Sequence, residues 1–170
     1  ERITEKGVVA GGREYELDCL IYASGFEVGT DYSRRAGFQL YGRHGHSLAE
    51  TWAGGVRTLH GMHVHGFPNC FILSNPQSGF TASYPHMLNE QAKHLAYVIR
   101  TGIEAKWNAL EVTPEAEQAW IDQCIAKARD VGDFFENCTP GYYNNEGKIG
   151  ERSAQDGFYG GGPVEFIKIL

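Results

Sequence analysis

Glycine is the residue that most restricts what this chain can fold into. The sequence holds 22 glycines among 170 residues, which is about twice the usual share of roughly 7%. Residues 27–66 are rich in glycine and show no sustained helical or strand periodicity. Because glycine weakens regular elements and permits sharp turns, we expect this stretch to form long irregular structure. Loops of that length are uncommon in compact domains unless they serve a function.

Composition and charge exclude several classes of protein. Hydrophobic residues make up 42% of the chain and charged residues 21%, values typical of a folded globular protein rather than a disordered one. The formal net charge is −6 and no basic stripe is present, which argues against nucleic-acid binding. No segment approaches the roughly 20 apolar residues of a membrane helix. We therefore expect a cytoplasmic protein without nucleic-acid or membrane partners.

The pattern of apolar residues predicts two kinds of strand. Residues 1–22 resemble antiparallel strands, with Gly11 and Gly12 as a hairpin turn. Leu17–Ala23 and Cys70–Leu73 are nearly continuous apolar runs, typical of strands that are buried on both faces of a sheet. Together with the helices predicted below, these strands indicate the α/β fold class.

Two main helices are predicted in the second half of the chain. Apolar residues recur there at helical spacing, and each run is bounded by a capping residue and a glycine. The segment after the last glycines is predicted either as a strand or as a helix. The predicted helices cover 83–100 and 114–130, with the caps and stops Ser83, Gly102, Thr113 and Gly132, and the final segment is Val164–Leu170.

Two histidine pairs, His44/His46 and His63/His65, have the spacing that places both rings on one face of a strand. Such a pair can bind zinc or copper. Neither pair has a third ligand at a matching offset, and glycines flank both pairs. We therefore interpret them as polar loop histidines and predict no metal site.

The segment from Cys70 to Arg100 is the one most suggestive of a binding site. A predicted strand ends there in the polar turn 74–79, and a helix opens shortly after it. A helix N-terminus offers unpaired N–H groups and a partial positive charge to an anionic or electron-rich ligand. An ordinary strand–helix connection explains the pattern equally well. Ser78 lacks the glycine two residues earlier that a hydrolase nucleophile requires, so a serine hydrolase is not predicted.

Several segments, in order along the chain, resemble the conserved motifs of one protein family. Residues 20–26 are similar to an apolar strand that ends in an Ala-Thr-Gly-Phe turn, with Ser24 in place of Thr. Residues 52–61 resemble a Trp-x-x-Gly-Pro-Arg-Thr-Tyr-Leu-Gly block, with Val56 for Pro and His60 for Leu. Further similar segments are 66–71, the turn 75–78, and the C-terminal segments 138–147 and 159–163. Together they resemble the Baeyer–Villiger and related flavin-containing monooxygenases, such as cyclohexanone and phenylacetone monooxygenases.

The resemblance implies a particular place for this chain within a longer protein. The two glycine-rich dinucleotide fingerprints of the family and its flavin-facing arginine do not occur here. We therefore expect an α/β C-terminal fragment of a flavoprotein with two dinucleotide-binding domains, built from short strands, two main helices and long loops. The implied divisions are the end of the NADP-binding domain and a linker (1–66), the last strand and helices of the FAD-binding domain (67–132), and a lid-like loop with the C-terminal segment (133–170).

The implied activity is insertion of one oxygen atom of O₂ into a ketone, with FAD and NADPH as cofactors and the upstream part of the same chain as a partner. The resemblance implies no catalytic residue and no metal ligand within the chain, and the chain alone is expected to be inactive. A flavin N- or S-hydroxylating monooxygenase and a non-catalytic binding domain are the alternatives. The implied cofactor-binding residues are Ala23, Ser24, Gly25, Gln77, Ser78, Gly79, Thr81, Tyr143, Asn144 and Lys148.

Overall fold

The computed structural model describes residues 1–23, 32, 36–73, 75–129, 137, 139 and 153–170. Within these ranges the chain combines a small antiparallel sheet with helices and long hydrogen-bonded loops, so the mixed helix and strand class is confirmed. The elements are β1 (Arg2–Ile3), β2 (Gly7–Ala10), β3 (Arg13–Glu16), α1 (Leu48–Thr51), α2 (Tyr84–Glu104), α3 (Pro114–Ala126), α4 (Ser153–Asp156) and α5 (Pro163–Ile169).

The N-terminal sheet has the strand order β1-β2-β3, with both neighbouring pairs antiparallel. Val8 lies opposite Tyr15 in its register. The turn between β2 and β3 contains Gly11 and Gly12 with φ angles of 59° and 74°, a left-handed conformation that glycine adopts at little cost. The predicted hairpin and its turn are confirmed.

The two predicted buried strands are wrong. Leu17–Ala23 continues from β3 without forming a strand, and its side chains are exposed, with Ile21 at 82%. Cys70–Leu73 is also outside any strand, and the backbone bond from Ile72 N to Met62 O (2.9 Å) is an isolated contact. A strand exists through the ladder of hydrogen bonds to its neighbours. Apart from the single bond from Leu17 N to Lys6 O (3.0 Å) at the end of the small sheet, neither segment has such a ladder among the described residues.

Both main helices form where they were predicted, with different ends. Helix α2 runs through Gly102 and stops at Ala105. Lys106 then takes a left-handed φ of 57°, and the bonds from Lys106 N to Ile103 O and from Trp107 N to Gly102 O (3.1 and 2.9 Å) close the helix. This is a Schellman ending, so the predicted stop at Gly102 is wrong by one turn.

Helix α3 starts as predicted, because the Thr113 hydroxyl accepts the N–H of Ala116 at 3.2 Å. It ends at Ala126, earlier than expected, and Gly132 lies outside the described residues. At this end the chain passes close by, since a Cβ on Gly160 would lie 1.7 Å from the carbonyl oxygen of Lys127. The final segment is a helix, α5, which was one of its two predicted forms.

Two apolar clusters organise the described fold. The main cluster joins α2, α3 and the C-terminal segment, residues 153–170, around Trp120. The second cluster lies beneath α1 and the loop before α2. Among the described residues, none of the helices combines the length and apolar character needed to cross a membrane. The buried members are Met87, Trp120, Cys124, Tyr159 and Phe166 in the main cluster and Leu48, Val64 and Phe67 in the second.

Candidate functional site

The turn 75–79 is held from several sides. The backbone N–H of Gln77 donates to Gly157 O at 2.7 Å, and Gln77 O accepts the indole N–H of Trp120 at 3.0 Å. Ser78 O accepts the N–H of Tyr159 at 2.9 Å. Gln77 and Ser78 are almost completely buried. The turn is therefore fixed between α3 and the C-terminal segment.

The side chain of Gln77 ties the turn to the loop before it. Its oxygen accepts hydrogen bonds from Thr58 N (2.9 Å) and Thr58 Oγ1 (2.6 Å). Its nitrogen donates to Val56 O (2.7 Å) and Gln155 O (3.0 Å). The loop and the turn also meet at Gly61, where a Cβ would lie 2.8 Å from Pro76 O and φ is +73°. Only glycine fits there without displacing the turn.

Helix α2 begins next to this turn with an open N-terminus. Ser83 occupies the N-cap position, but its side chain makes no capping hydrogen bond and the first turn contains no acidic residue. Pro85 lies in that first turn. The Thr81 hydroxyl accepts the N–H of Ser83 at 2.9 Å and donates to its carbonyl at 2.8 Å. No described side chain of this first turn thus offsets the partial positive charge of the helix end.

An aromatic pair lies beside the same helix end. Phe80 and Phe158 stack with ring centroids 4.3 Å apart, and they are 45% and 36% exposed. Gly79 is buried, and a Cβ on it would lie 2.7 Å from the Phe166 ring. The turn is thus packed against the main cluster, and a partly exposed aromatic pair follows it.

Three histidines form a cluster: His60 and His63 of the loop 58–63, and His94 of α2. The ring of His60 meets that of Trp120 edge-on at 4.7 Å, and His94 lies 6.2 Å from His60 and 6.0 Å from His63. Burial, and then the neighbouring His94, lower the pKa of both His60 and His63 to about 4. His94 is held by a contact of 3.0 Å between its Nδ1 and Leu170 O. His60 and His63 are therefore neutral at pH 7.

This histidine cluster predicts a pH-dependent stability. In the unfolded chain both rings have a pKa of about 6.5, so between pH 6.5 and 4 the unfolded state binds more protons than the folded state. The free energy of unfolding is then fully retained above pH 6.5 and falls as the pH drops towards 4. We expect urea unfolding of full-length protein at pH 7.5 and 4.5 to differ less in His60→Leu and His63→Leu than in the wild type.

Exposed His86 provides the matched control for that measurement. His86→Leu should leave the difference between the two pH values unchanged, because His86 is exposed and lies outside the cluster. If the His60 and His63 variants show the same pH difference as His86→Leu, protonation of the cluster does not destabilise the fold.

The structure separates the histidines of the pair His63/His65. His63 is buried in the cluster, whereas His65 points to another surface, where its Nδ1 contacts Val112 O at 3.0 Å. His65 lines a cleft of roughly 620 Å³ together with His44 and His46. No group of three or more potential metal-ligating side chains in the described part of the chain is arranged to hold an ion. His63 lies outside the helices and strands, as interpreted, but it is buried, with its ring centroid 5.5 Å from that of Phe71.

Two ion pairs support the wall of that cleft, and of their carboxylates only Glu117 is buried. Glu111 accepts from Arg43 Nε (2.8 Å) and from Gly66 N (2.9 Å), and the Arg43 hydrogen bond, followed by that from Gly66, lowers the pKa of this carboxyl. Glu117 is 3% exposed and accepts from Arg57 Nε (3.2 Å) and from His65 N (2.8 Å). These carboxylates are fully engaged in holding loops together, which is a structural role.

The structure brings four of the ten predicted cofactor residues together. Gln77, Ser78, Gly79 and Thr81 form the turn and the approach to α2, whereas Ala23 lies exposed at the end of the N-terminal segment. The remaining five, Ser24, Gly25, Tyr143, Asn144 and Lys148, lie outside the described residues.

The residues that support the turn were not predicted from the sequence. Thr58, Trp120 and Gln155 bind Gln77 across 19, 43 and 78 residues of chain. A spacing rule finds residues that are close along the chain, so no local pattern could indicate these three. Thr58 alone had a signal in the sequence, because it lies in residues 52–61, the segment that resembles the Trp-x-x-Gly-Pro-Arg-Thr-Tyr-Leu-Gly block.

Comparison with known proteins places these features in a family. No family model matches the chain. The chain is 48% identical to pentalenolactone D synthase of Streptomyces arenae, over 100% of this chain and 29% of that protein. It is 41% identical to the Baeyer–Villiger monooxygenase ATR8 of Stachybotrys chlorohalonatus, over 100% of this chain and 27% of that protein. The chain thus spans less than a third of the length of these curated relatives.

Solved structures give the same family. The polycyclic ketone monooxygenase from the thermophilic fungus Thermothelomyces thermophila matches with a TM-score of 0.81 and 32% identity, over 98% of this chain and 28% of that chain. The structure of the OTEMO complex with FAD and NADP matches with a TM-score of 0.63 and 28% identity, over 73% of this chain and 23% of that chain. The similarity predicted from the sequence motifs is confirmed: the chain is related over its full length to a segment of the Baeyer–Villiger monooxygenases.

Proposed function

We propose that this chain is part of an FAD- and NADPH-dependent monooxygenase that converts a ketone into an ester or lactone. In the balanced reaction, ketone, O₂, NADPH and a proton give ester or lactone, NADP⁺ and water. The observation that carries the proposal is similarity along the whole chain to proteins named as ketone or Baeyer–Villiger monooxygenases. The OTEMO complex with FAD and NADP supports the choice of cofactors.

The open end of α2 fits an electron-rich ring such as a flavin. Its first turn contains no acidic side chain and the Ser83 side chain does not cap it, so a partial positive charge remains available to a ligand. We assign Gly79 and Thr81, with the adjoining backbone, to the flavin side of the turn. Bound FAD, reduced by NADPH, supplies the chemistry that activates O₂.

The other proposed contacts come from the resemblance. Ala23, Ser24 and Gly25 are proposed to contact a dinucleotide cofactor, and Tyr143, Asn144 and Lys148 to belong to a segment that folds over NADP. Such a segment excludes water from the reaction. The proposed divisions remain 1–66 for the end of the NADP-binding domain, 67–132 for the FAD-binding domain, and 133–170 for the lid-like and C-terminal part.

The proposed function predicts a coloured, ketone-oxidising full-length protein. We expect purified full-length protein to show a flavin absorbance spectrum and to consume NADPH faster when a cyclic ketone is added, with the ester or lactone identified by mass spectrometry. The polypeptide of residues 1–170 alone should retain no stoichiometric FAD, because the dinucleotide fingerprints are absent from it.

Other substrates separate the alternatives. Oxidation of a sulfide or an amine with no ester or lactone from any ketone tested would favour the N- or S-hydroxylating class. Absence of flavin from the full-length protein would contradict both enzyme classes and favour a binding domain.

A further inference from the structure

We propose that Gln77 is a positioning residue for the turn 75–79. Its side-chain amide fixes the backbone that leads into α2, and that amide does not itself contact the cofactor. The inference rests on the proposed function, because the position of this turn matters to the reaction only if a flavin lies beside it.

The first argument is the hydrogen-bonding capacity of the amide. A glutamine side chain has one oxygen with two lone pairs and one nitrogen with two hydrogens. The oxygen of Gln77 accepts from the N–H and the hydroxyl of Thr58, and its nitrogen donates to the carbonyls of Val56 and Gln155. All four positions are filled and Gln77 is 0% exposed. The amide therefore has no capacity left for a ligand.

The second argument is the backbone of the same residue. Gln77 has a φ of 57°, a left-handed conformation that is uncommon for a residue with a side chain. Its N–H is bound by Gly157 O at 2.7 Å and its carbonyl by the indole of Trp120 at 3.0 Å. Such conformations persist where the surroundings over-determine them, and they often occur at functional sites.

The third argument is where the partners come from. Val56 and Thr58 belong to the loop before the turn, Gln155 and Gly157 to the C-terminal segment, and Trp120 to α3. One residue thus joins the turn to three separate parts of the chain. Loss of its amide would let the turn, and with it the approach to α2, move relative to all of them.

Two substitutions disrupt the hydrogen bonds of the Gln77 side-chain amide by different chemistry. Gln77→Glu keeps an acceptor for Thr58 but places an oxygen opposite the carbonyls of Val56 and Gln155. Gln77→Met has a similar length and leaves the buried N–H of Thr58 without its acceptor, which is unfavourable. The same change at an exposed position, Gln118→Glu, is the matched control, because a carboxylate there still accepts from Arg57 Nη2, which donates to Gln118 at 2.8 Å. The substitution removes one exposed hydrogen bond, from Gln118 Nε2 to Asp122 (2.9 Å), which lies away from the turn.

The first measurement needs no cofactor. In full-length protein from which FAD has been removed, amide hydrogen exchange of residues 78–84 is measured by mass spectrometry. We expect exchange to accelerate by about tenfold in Gln77→Glu and Gln77→Met, roughly the effect of losing one buried hydrogen bond. Gln118→Glu should exchange like the wild type.

The second measurement uses the loaded protein. With FAD bound, Gln77→Glu should alter the visible flavin spectrum and slow anaerobic flavin reduction by NADPH by roughly 10- to 100-fold, since misplacement by about 1 Å has costs of this size. Cys124→Ala is the control for stability, because Cys124 is buried in the main cluster and is not a hydrogen-bond partner of Gln77. It should lower the unfolding temperature and leave the reduction rate per bound flavin unchanged.

The outcomes separate this inference from the proposed function. Wild-type exchange of residues 78–84 in both Gln77 variants would overturn the inference, even in a protein that oxidises ketones. Faster exchange with an unchanged flavin spectrum and reduction rate would also overturn it, because the position of the turn would then not matter to the cofactor. Wild-type protein that binds no FAD would contradict the proposed function and the inference with it.

Discussion

Trp120→Ala is expected to lower the free energy of unfolding by about 3–5 kcal/mol, the usual cost of removing a large buried aromatic side chain. Trp120 is 2% exposed, stacks on Tyr159 at 4.8 Å and meets the edge of His60 at 4.7 Å. Its indole N–H also donates to Gln77 O. The substitution therefore opens a cavity in the main cluster and removes one support of the turn. Urea unfolding followed by circular dichroism measures the loss.

The same substitution at an exposed tryptophan is the control. Trp107 follows the end of α2 and is 53% exposed, so Trp107→Ala should have a much smaller effect. Trp120→Phe keeps most of the apolar contact but cannot donate to Gln77, and should cost about 1 kcal/mol for the hydrogen bond in addition to the smaller ring. Equal losses for Trp107→Ala and Trp120→Ala would contradict the assignment of Trp120 to the centre of the main cluster.

Local sequence signals predicted the local elements well. The glycine pair at Gly11 and Gly12 gave the hairpin, and the helix cap at Thr113 is the one found in the structure. Helix α2 was predicted one turn too short, because Gly102 was taken as its stop while the left-handed residue that ends it is Lys106. A single glycine marks a helix end only where the chain actually turns, and the sequence does not distinguish these cases.

Long-range features were less predictable for a physical reason. The apolar runs Leu17–Ala23 and Cys70–Leu73 resemble buried strands, but whether an apolar run becomes a strand depends on a neighbour that supplies the hydrogen bonds. Likewise, the turn 75–79 was identified as a candidate from its residues, whereas its supports come from distant parts of the chain. The pattern of a segment does not specify its partners.

One part of the candidate site was predictable from the sequence, because backbone geometry is encoded locally. The polar turn followed by Ser83 and Pro85 indicated a helix N-terminus beside a turn, and the structure has both, although the Ser83 side chain makes no capping hydrogen bond. The role of each side chain depends on burial, which the pattern did not indicate. That Gln77 lies at a cofactor site stays a prediction, and its side-chain amide is bound by partners within the chain.

Gly79→Val is expected to destabilise the protein by roughly 1–3 kcal/mol, as overpacking of a dense core does. A Cβ at this position would lie 2.7 Å from one carbon of the Phe166 ring and 2.9 Å from its Cβ. Phe166 is 0% exposed and belongs to the main cluster, so its ring has little room to move away. The unfolding midpoint in urea should therefore fall in the full-length variant.

A double-mutant cycle separates this packing effect from an effect on the cofactor. Phe166→Ala removes the ring that the new side chain would meet, so Gly79→Val should cost less in that background, with a coupling energy of about 0.5–3 kcal/mol between the two sites. Strictly additive losses would contradict close packing between Gly79 and Phe166.

The rate of flavin reduction by NADPH is then compared between Phe166→Ala and the double variant. A slower rate in the double variant is expected if the backbone at Gly79 faces the flavin, because the packing conflict has already been relieved. Equal rates would contradict the proposed position of Gly79 beside the ring, and leave its contact with Phe166 as the reason that glycine is required there.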